Sequence, residues 1–225
     1  MGQLPAHTGP FRWVSIVAVA NLITIIRYPL LLAYLLMIYF GTPLIQLLSV
    51  PFLFFALFLD TLDGVIARRT GTTSLIGSVL DIATDRTYEL VLWVVLADLG
   101  TISVAIPLIL IARTVLTDAI RSIGVSQGKA PFEQQGSGLG HFLVSSAWMR
   151  SGYSISKILA FCGLTLGFAL SGFPEGGSLQ SASEPVLQVS EIVAWVAVSI
   201  SVVRGAPVIV SGYRQMRDSE KVKNL

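Results

Sequence analysis

Residues 53–85 read LFFALFLDTLDGVIARRTGTTSLIGSVLDIATD. The stretch opens on an uninterrupted apolar run, Leu53–Leu59. It then stays largely apolar to Ile66, with carboxylates at Asp60 and Asp63. After a polar break from Arg68 to Ser74, apolar sequence resumes at Leu75 and carries Asp81 and Asp85. Neither half alternates apolar and polar residues as a half-buried strand does, and each is longer than a strand, so both read as helices. The break is short enough to make them antiparallel neighbours. On a helix, positions three and four apart share a face. Asp60 and Asp63 therefore project together from the first helix, and Asp81 and Asp85 from the second. Gly64 lies one turn after Asp60, Ala67 one turn after Asp63, and Gly77 one turn before Asp81. Small residues at such points let helices or a ligand approach closely.

The rest of the chain extends this pattern. Of 225 residues 53% are hydrophobic and 12% charged, against roughly 25% charged in soluble domains. So little polar surface predicts an all-α polytopic membrane protein, since spanning helices satisfy their own backbone over about 20 apolar residues. Six segments fit, near 20–40, 44–66, 75–96, 102–123, 153–170 and 185–209, with room for a short interfacial helix around Trp13–Val19. No repeat or linker divides them, so residues 1–225 read as a single domain. All 15 Lys and Arg residues fall on one side of this topology. The positive-inside rule then puts both termini and the carboxylate cleft in the cytoplasm, in a membrane expected to be the bacterial cytoplasmic one. A net charge of +2 gives no reason to expect nucleic acid as a partner. Cys162 is the one cysteine, which excludes an internal disulfide.

Four carboxylates at a membrane's edge need compensation. An ionised Asp at the bilayer centre costs about 2.5–3.5 kcal/mol, so four would cost on the order of 10 kcal/mol. Two divalent cations would match the four charges, and an all-oxygen donor set without His or Cys selects Mg²⁺ or Mn²⁺ over zinc. Two metals can clamp an in-line displacement at phosphorus, and a nearby carboxylate can deprotonate an attacking hydroxyl.

The spaced set Asp60, Asp63, Gly64, Ala67, Arg68, Gly77, Asp81 and Asp85 resembles in full the signature of the CDP-alcohol phosphotransferase family. A chance match at eight fixed positions has a probability on the order of 10⁻¹⁰. The resemblance implies that Asp60, Asp63, Asp81 and Asp85 hold two metal ions on the diphosphate of a CDP-lipid. It further implies that Asp60, Asp63, Gly64, Ala67, Arg68 and Gly77 line the nucleotide, and that Asp85 is the catalytic base. The implied reaction moves a phosphatidyl group from CDP-diacylglycerol to an alcohol within the lipid bilayer, releasing CMP, and a homodimer is implied with it.

For the acceptor, Arg113, Lys157 and Arg204 stand one per helix at the cytoplasmic ends of the last three segments. Three converging cations would suit a phosphorylated alcohol; snorkelling to lipid headgroups is the plainer alternative. Asn21, Thr24 and Arg27, with the stretch IARTVLTDAIRS at 111–122, resemble the phosphatidylglycerophosphate synthase branch. Thr114 stands where that pattern has Glu, and Lys157 lacks the flanking motif. Glycerol 3-phosphate is thus the expected acceptor, with inositol phosphate or a non-phosphorylated alcohol as alternatives. Glu89 extends the row Gly77, Asp81, Asp85 by one more turn, next to the acceptor or in a structural pairing. A cation transporter would place carboxylates at mid-membrane on broken helices or inverted repeats, and a non-catalytic scaffold would be free to lose an aspartate; the sequence shows neither.

Overall fold

The computed structural model describes the backbone of residues 26–70, 75–126 and 147–223. Within these stretches the side chains of 60–70, 75–78, 121, 123–126, 147–148, 150, 214–216 and 218–223 lie outside the described part. The interfacial helix expected around Trp13–Val19 lies outside the described residues. What is described is helical and contains no strand: α1 Ile26–Phe40, α2 Pro43–Thr70, α3 Leu75–Asp98, α4 Ala105–Ser126, α5 Ala147–Ser171, the single turn α6 Ser178–Ser181, and α7 Ser183–Lys223. The chain divides into two compact units, Met1–Val91 and Leu92–Leu225.

In the first unit α1 shows the 3.6-residue period that makes a helix take one buried face. Arg27, Leu31, Tyr34 and Ile38 are buried, whereas Leu32, Leu36 and Phe40 are exposed. The exposed face is as apolar as the buried one, which is what a lipid-facing helix requires. The step into α2 is tight: a Cβ on Gly41 would fall 2.2 Å from the Met37 carbonyl oxygen. Gln46 Nε2 then ties α2 back to the Ile38 carbonyl at 3.0 Å.

In the second unit α7 packs against α5 and α4. Its buried stripe is made largely of small residues, Ser190, Ala194, Ala197 and Ser201, which let helix backbones come close. The closeness is measurable, since a Cβ on Gly163 would meet Ser190 Oγ at 2.2 Å and one on Gly167 would meet the Leu187 side chain at 2.6 Å. Trp93, at the end of α3, packs on Phe161 of α5 with ring centroids 4.5 Å apart.

The end of α3 is a Schellman motif. Gly100 has φ +72°, its N–H bonds to the Ala97 carbonyl, and the Thr101 N–H bonds to the Leu96 carbonyl. Nothing lies within 4 Å of a Cβ placed at Gly100, so Gly100→Ala carries only the left-handed backbone penalty of about 1–2 kcal/mol. A corresponding drop in thermal stability at unchanged activity is expected in detergent unfolding assays.

Two helical stretches among the described residues are long and apolar enough to cross a membrane, Ser151–Ser171 and Ser178–Tyr213, while Ile26–Phe40 and Pro43–Leu59 are apolar but shorter. The helices coincide with the expected segments, and they run further at several ends. Sequence reading ends the last segment near Ile209 and leaves 213–225 as a charged tail, yet α7 continues to Lys223 with Pro207 inside it. Arg, Gln, Met, Glu and Lys in that tail are strong helix formers, so the helix outlasts its apolar part.

Candidate functional site

The first unit carries the carboxylates. Asp60, Asp63, Gly64, Ala67 and Arg68 all lie on the last turns of α2, and Gly77, Asp81, Asp85 and Glu89 on α3. The backbone thus keeps each pair of aspartates on one helix at the spacing of one turn. The side chains of Asp60, Asp63 and Arg68 lie outside the described part. Asp81 and Asp85 are half-exposed, at 49% and 50%. Glu89, one turn further on, is buried.

A residue read from sequence only as a topology marker and pattern member joins them. Arg27, near the start of described α1, is 2% exposed. Its Nη2 donates to Asp85 Oδ1 at 3.0 Å, and its Nη1 lies 4.0 Å from Asp81 Oδ1. Its guanidinium sits 4.9 Å over the Tyr88 ring, and the buried Tyr88 hydroxyl donates to the Arg27 carbonyl. Next to them Thr84, also buried, donates to the Leu80 carbonyl at 2.8 Å. A charged group in an apolar helix must find an opposite charge, and that is the signal in the sequence that could have assigned Arg27 to this cluster.

Does this cluster suit divalent cations? Among the described residues no group of three or more His, Cys, Asp or Glu forms, because the described part includes only half of the aspartate set. That half consists of two half-exposed carboxylates one turn apart, with oxygen donors alone. Such chemistry fits Mg²⁺ or Mn²⁺.

The second unit carries the three cations expected at the acceptor. Lys157 Nζ stands 4.8 Å and Arg204 Cζ 5.8 Å from the centroid of the Tyr153 ring. Tyr153 itself is buried. Arg113 of α4 donates from Nε to the Ser201 carbonyl at 3.1 Å, one helical turn before Arg204. Its side chain crosses Gly205, where a Cβ would fall 2.7 Å from Nε. Lys157 of α5 and Arg204 of α7 thus share the Tyr153 ring, and Arg113 of α4 bonds α7 one turn before Arg204. Thr114, which stands in place of the expected Glu, is buried and accepts at its carbonyl from the Thr117 hydroxyl at 3.0 Å.

A search of curated proteins returns no match. The model of the CDP-alcohol phosphatidyltransferase family, by contrast, matches residues 17–203. That span holds all four aspartates, Arg27, Arg113 and Lys157, and ends one residue before Arg204. Family members generally use divalent metal ions. With its two long apolar helices, the chain fits an integral membrane protein. Matched over most of its length, it belongs to the CDP-alcohol phosphatidyltransferase family, transferases of phospholipid synthesis that move a phosphatidyl group from a CDP-linked alcohol to an acceptor.

Proposed function

We propose that the protein is a six-span enzyme of the bacterial cytoplasmic membrane, working as a homodimer with its site toward the cytoplasm. It transfers the phosphatidyl group of CDP-diacylglycerol to glycerol 3-phosphate and releases CMP. The family supports the reaction class. The observation that supports a phosphorylated acceptor is the gathering of Lys157 and Arg204 on Tyr153, with Arg113 bonded one turn away on α7.

In this reading Asp60, Asp63, Asp81 and Asp85 hold two Mg²⁺ or Mn²⁺ ions. When bound, the ions neutralise the diphosphate and make CMP a better leaving group. Gly64, Ala67, Arg68 and Gly77 line the nucleotide, the small residues giving it room. Asp85 takes the proton from the acceptor hydroxyl. The freed oxygen forms a bond to the phosphatidyl phosphorus as the bond from that phosphorus to the CMP oxygen breaks. Arg113, Lys157 and Arg204 hold the acceptor's phosphate by charge-assisted hydrogen bonds.

The test is to incubate the purified protein with CDP-diacylglycerol, Mg²⁺ and a panel of labelled alcohols, following CMP release and the lipid product. Glycerol 3-phosphate is expected to be the best acceptor, with inositol phosphate second. If free serine or another alcohol without a phosphate reacts best, the three-cation argument fails while the reaction class survives.

A further inference from the structure

Removing a guanidinium from water costs several kcal/mol unless an opposite charge and good hydrogen bonds repay it. Arg27 is held on several sides by one face of α3: Asp81, Asp85 and Tyr88 stand at successive turns, and all of them touch it. The Tyr88 hydroxyl also bonds the Arg27 backbone, so the base of the side chain is fixed as well as its tip. The burial is one-sided, however. The cation is 2% exposed, whereas the side chains of Asp81 and Asp85 are 49% and 50% exposed. A pair that served only to hide charge in the core would bury both partners. Here a rigid cation grips one oxygen of a carboxylate whose other side stays open, and Asp85 Oδ2 makes no hydrogen bond to a described residue.

We propose that Arg27 is a positioning residue for Asp85, fixing Oδ1 so that Oδ2 is left to the acceptor hydroxyl. The inference rests on the reading of Asp85 as the base. A carboxylate fixed before substrate arrives needs no reorganisation during proton transfer, and a base displaced by about 1 Å loses on the order of 10²-fold in rate.

The test uses the full chain in detergent or lipid discs. For wild type, Arg27→Gln, Arg27→Lys and Asp85→Asn, three quantities are measured: kcat, the KM of each substrate, and Mn²⁺ affinity from the spin-resonance signal of unbound ion. Arg27→Gln is expected to lower kcat about 10²-fold, with Mn²⁺ affinity and the CDP-diacylglycerol KM within about threefold of wild type. Arg27→Lys should recover part of the loss, because an ammonium keeps the charge and lacks the planar fork. Full kcat in Arg27→Gln overturns the inference. So does a collapse of Mn²⁺ affinity and lipid KM alongside kcat, since Arg27 would then serve the metal ligands as a group. If the Arg27 variants fail to fold, Tyr88→Phe decides: it keeps the ring under the guanidinium and removes the bond to the Arg27 carbonyl. A lower kcat at unchanged Mn²⁺ affinity supports positioning, and unchanged kcat refutes it. Asp85→Asn separates the two ideas. Wild-type turnover there sinks the base reading itself, whereas an inactive Asp85→Asn beside a fully active Arg27→Gln sinks positioning alone.

Discussion

Asp85→Asn is expected to reduce turnover about 10²- to 10⁴-fold, the usual worth of a positioned general base, while most CDP-diacylglycerol binding survives. The motive is the separation of tasks along α3. A base acts on the acceptor hydroxyl, so losing it should appear in kcat far more than in affinity for the nucleotide lipid. Asparagine keeps the shape and one oxygen acceptor for Arg27 Nη2, which now bonds Asp85 Oδ1 at 3.0 Å, and Asp81 stays 4.0 Å from Arg27 Nη1. The lost charge should lower stability, so turnover is to be measured on folded protein. Asp60→Asn, Asp63→Asn and Asp81→Asn should behave differently, losing activity together with the response to added metal. Excess chelator should abolish turnover, and Mg²⁺ or Mn²⁺ should restore it. CMP release and equilibrium binding of CDP-diacylglycerol, measured separately, check all of this. Binding that collapses with rate in Asp85→Asn would make Asp85 chiefly a metal ligand, and full turnover in chelator would remove the two-ion reading.

Lys157→Met and Arg204→Gln are each expected to raise the acceptor KM roughly ten- to a hundredfold, from a lost charge-assisted contact worth about 1.5–3 kcal/mol. The KM of CDP-diacylglycerol should stay near its wild-type value. Both residues now sit on the ring of Tyr153, which is buried, and a desolvated cation over an aromatic face is worth about 2 kcal/mol. Losing that contact alone would lower stability and leave the acceptor KM unmoved. Steady-state kinetics with each substrate varied in turn therefore separates phosphate binding from packing. Arg113 is a less clean probe, because its Nε already bonds the Ser201 carbonyl. Arg113→Lys should raise the acceptor KM and also loosen α4 from α7, a double effect that the other two positions avoid.

The helices were legible because long apolar runs without strand alternation read as helical, although only two of those described are long and apolar enough to cross a membrane. The aspartate spacing could likewise be read directly, since it depends on neighbours along the chain. Two features were not legible, for different reasons. Hydropathy marks where lipid contact ends, not where hydrogen bonding ends, so the continuation of α7 through Arg214–Lys223 was taken for a tail. The other is Arg27. Its hydrogen-bonded partner Asp85 lies 58 residues away in sequence, and a topology count satisfied its charge without asking what it touches. Arg113, Lys157 and Arg204 were legible only as one cation at the same end of each of three helices; which side chains each of them meets depends on packing.

The ion pair between α1 and α3 also bears on how the chain is made. Arg27 leaves the ribosome 58 residues ahead of Asp85, a delay of about 3–12 s at 5–20 residues per second. In the proposed six-span topology the first hairpin carries, during that interval, a guanidinium without the carboxylates it bonds in the fold, at a cost that reaches about 2.5–3.5 kcal/mol at the bilayer centre and is smaller near the interface. We therefore expect the first helix to stay near the membrane surface until the third emerges, so that α1, α2 and α3 enter the bilayer as one cooperative unit and the aspartate row completes the integration of the amino-terminal helix.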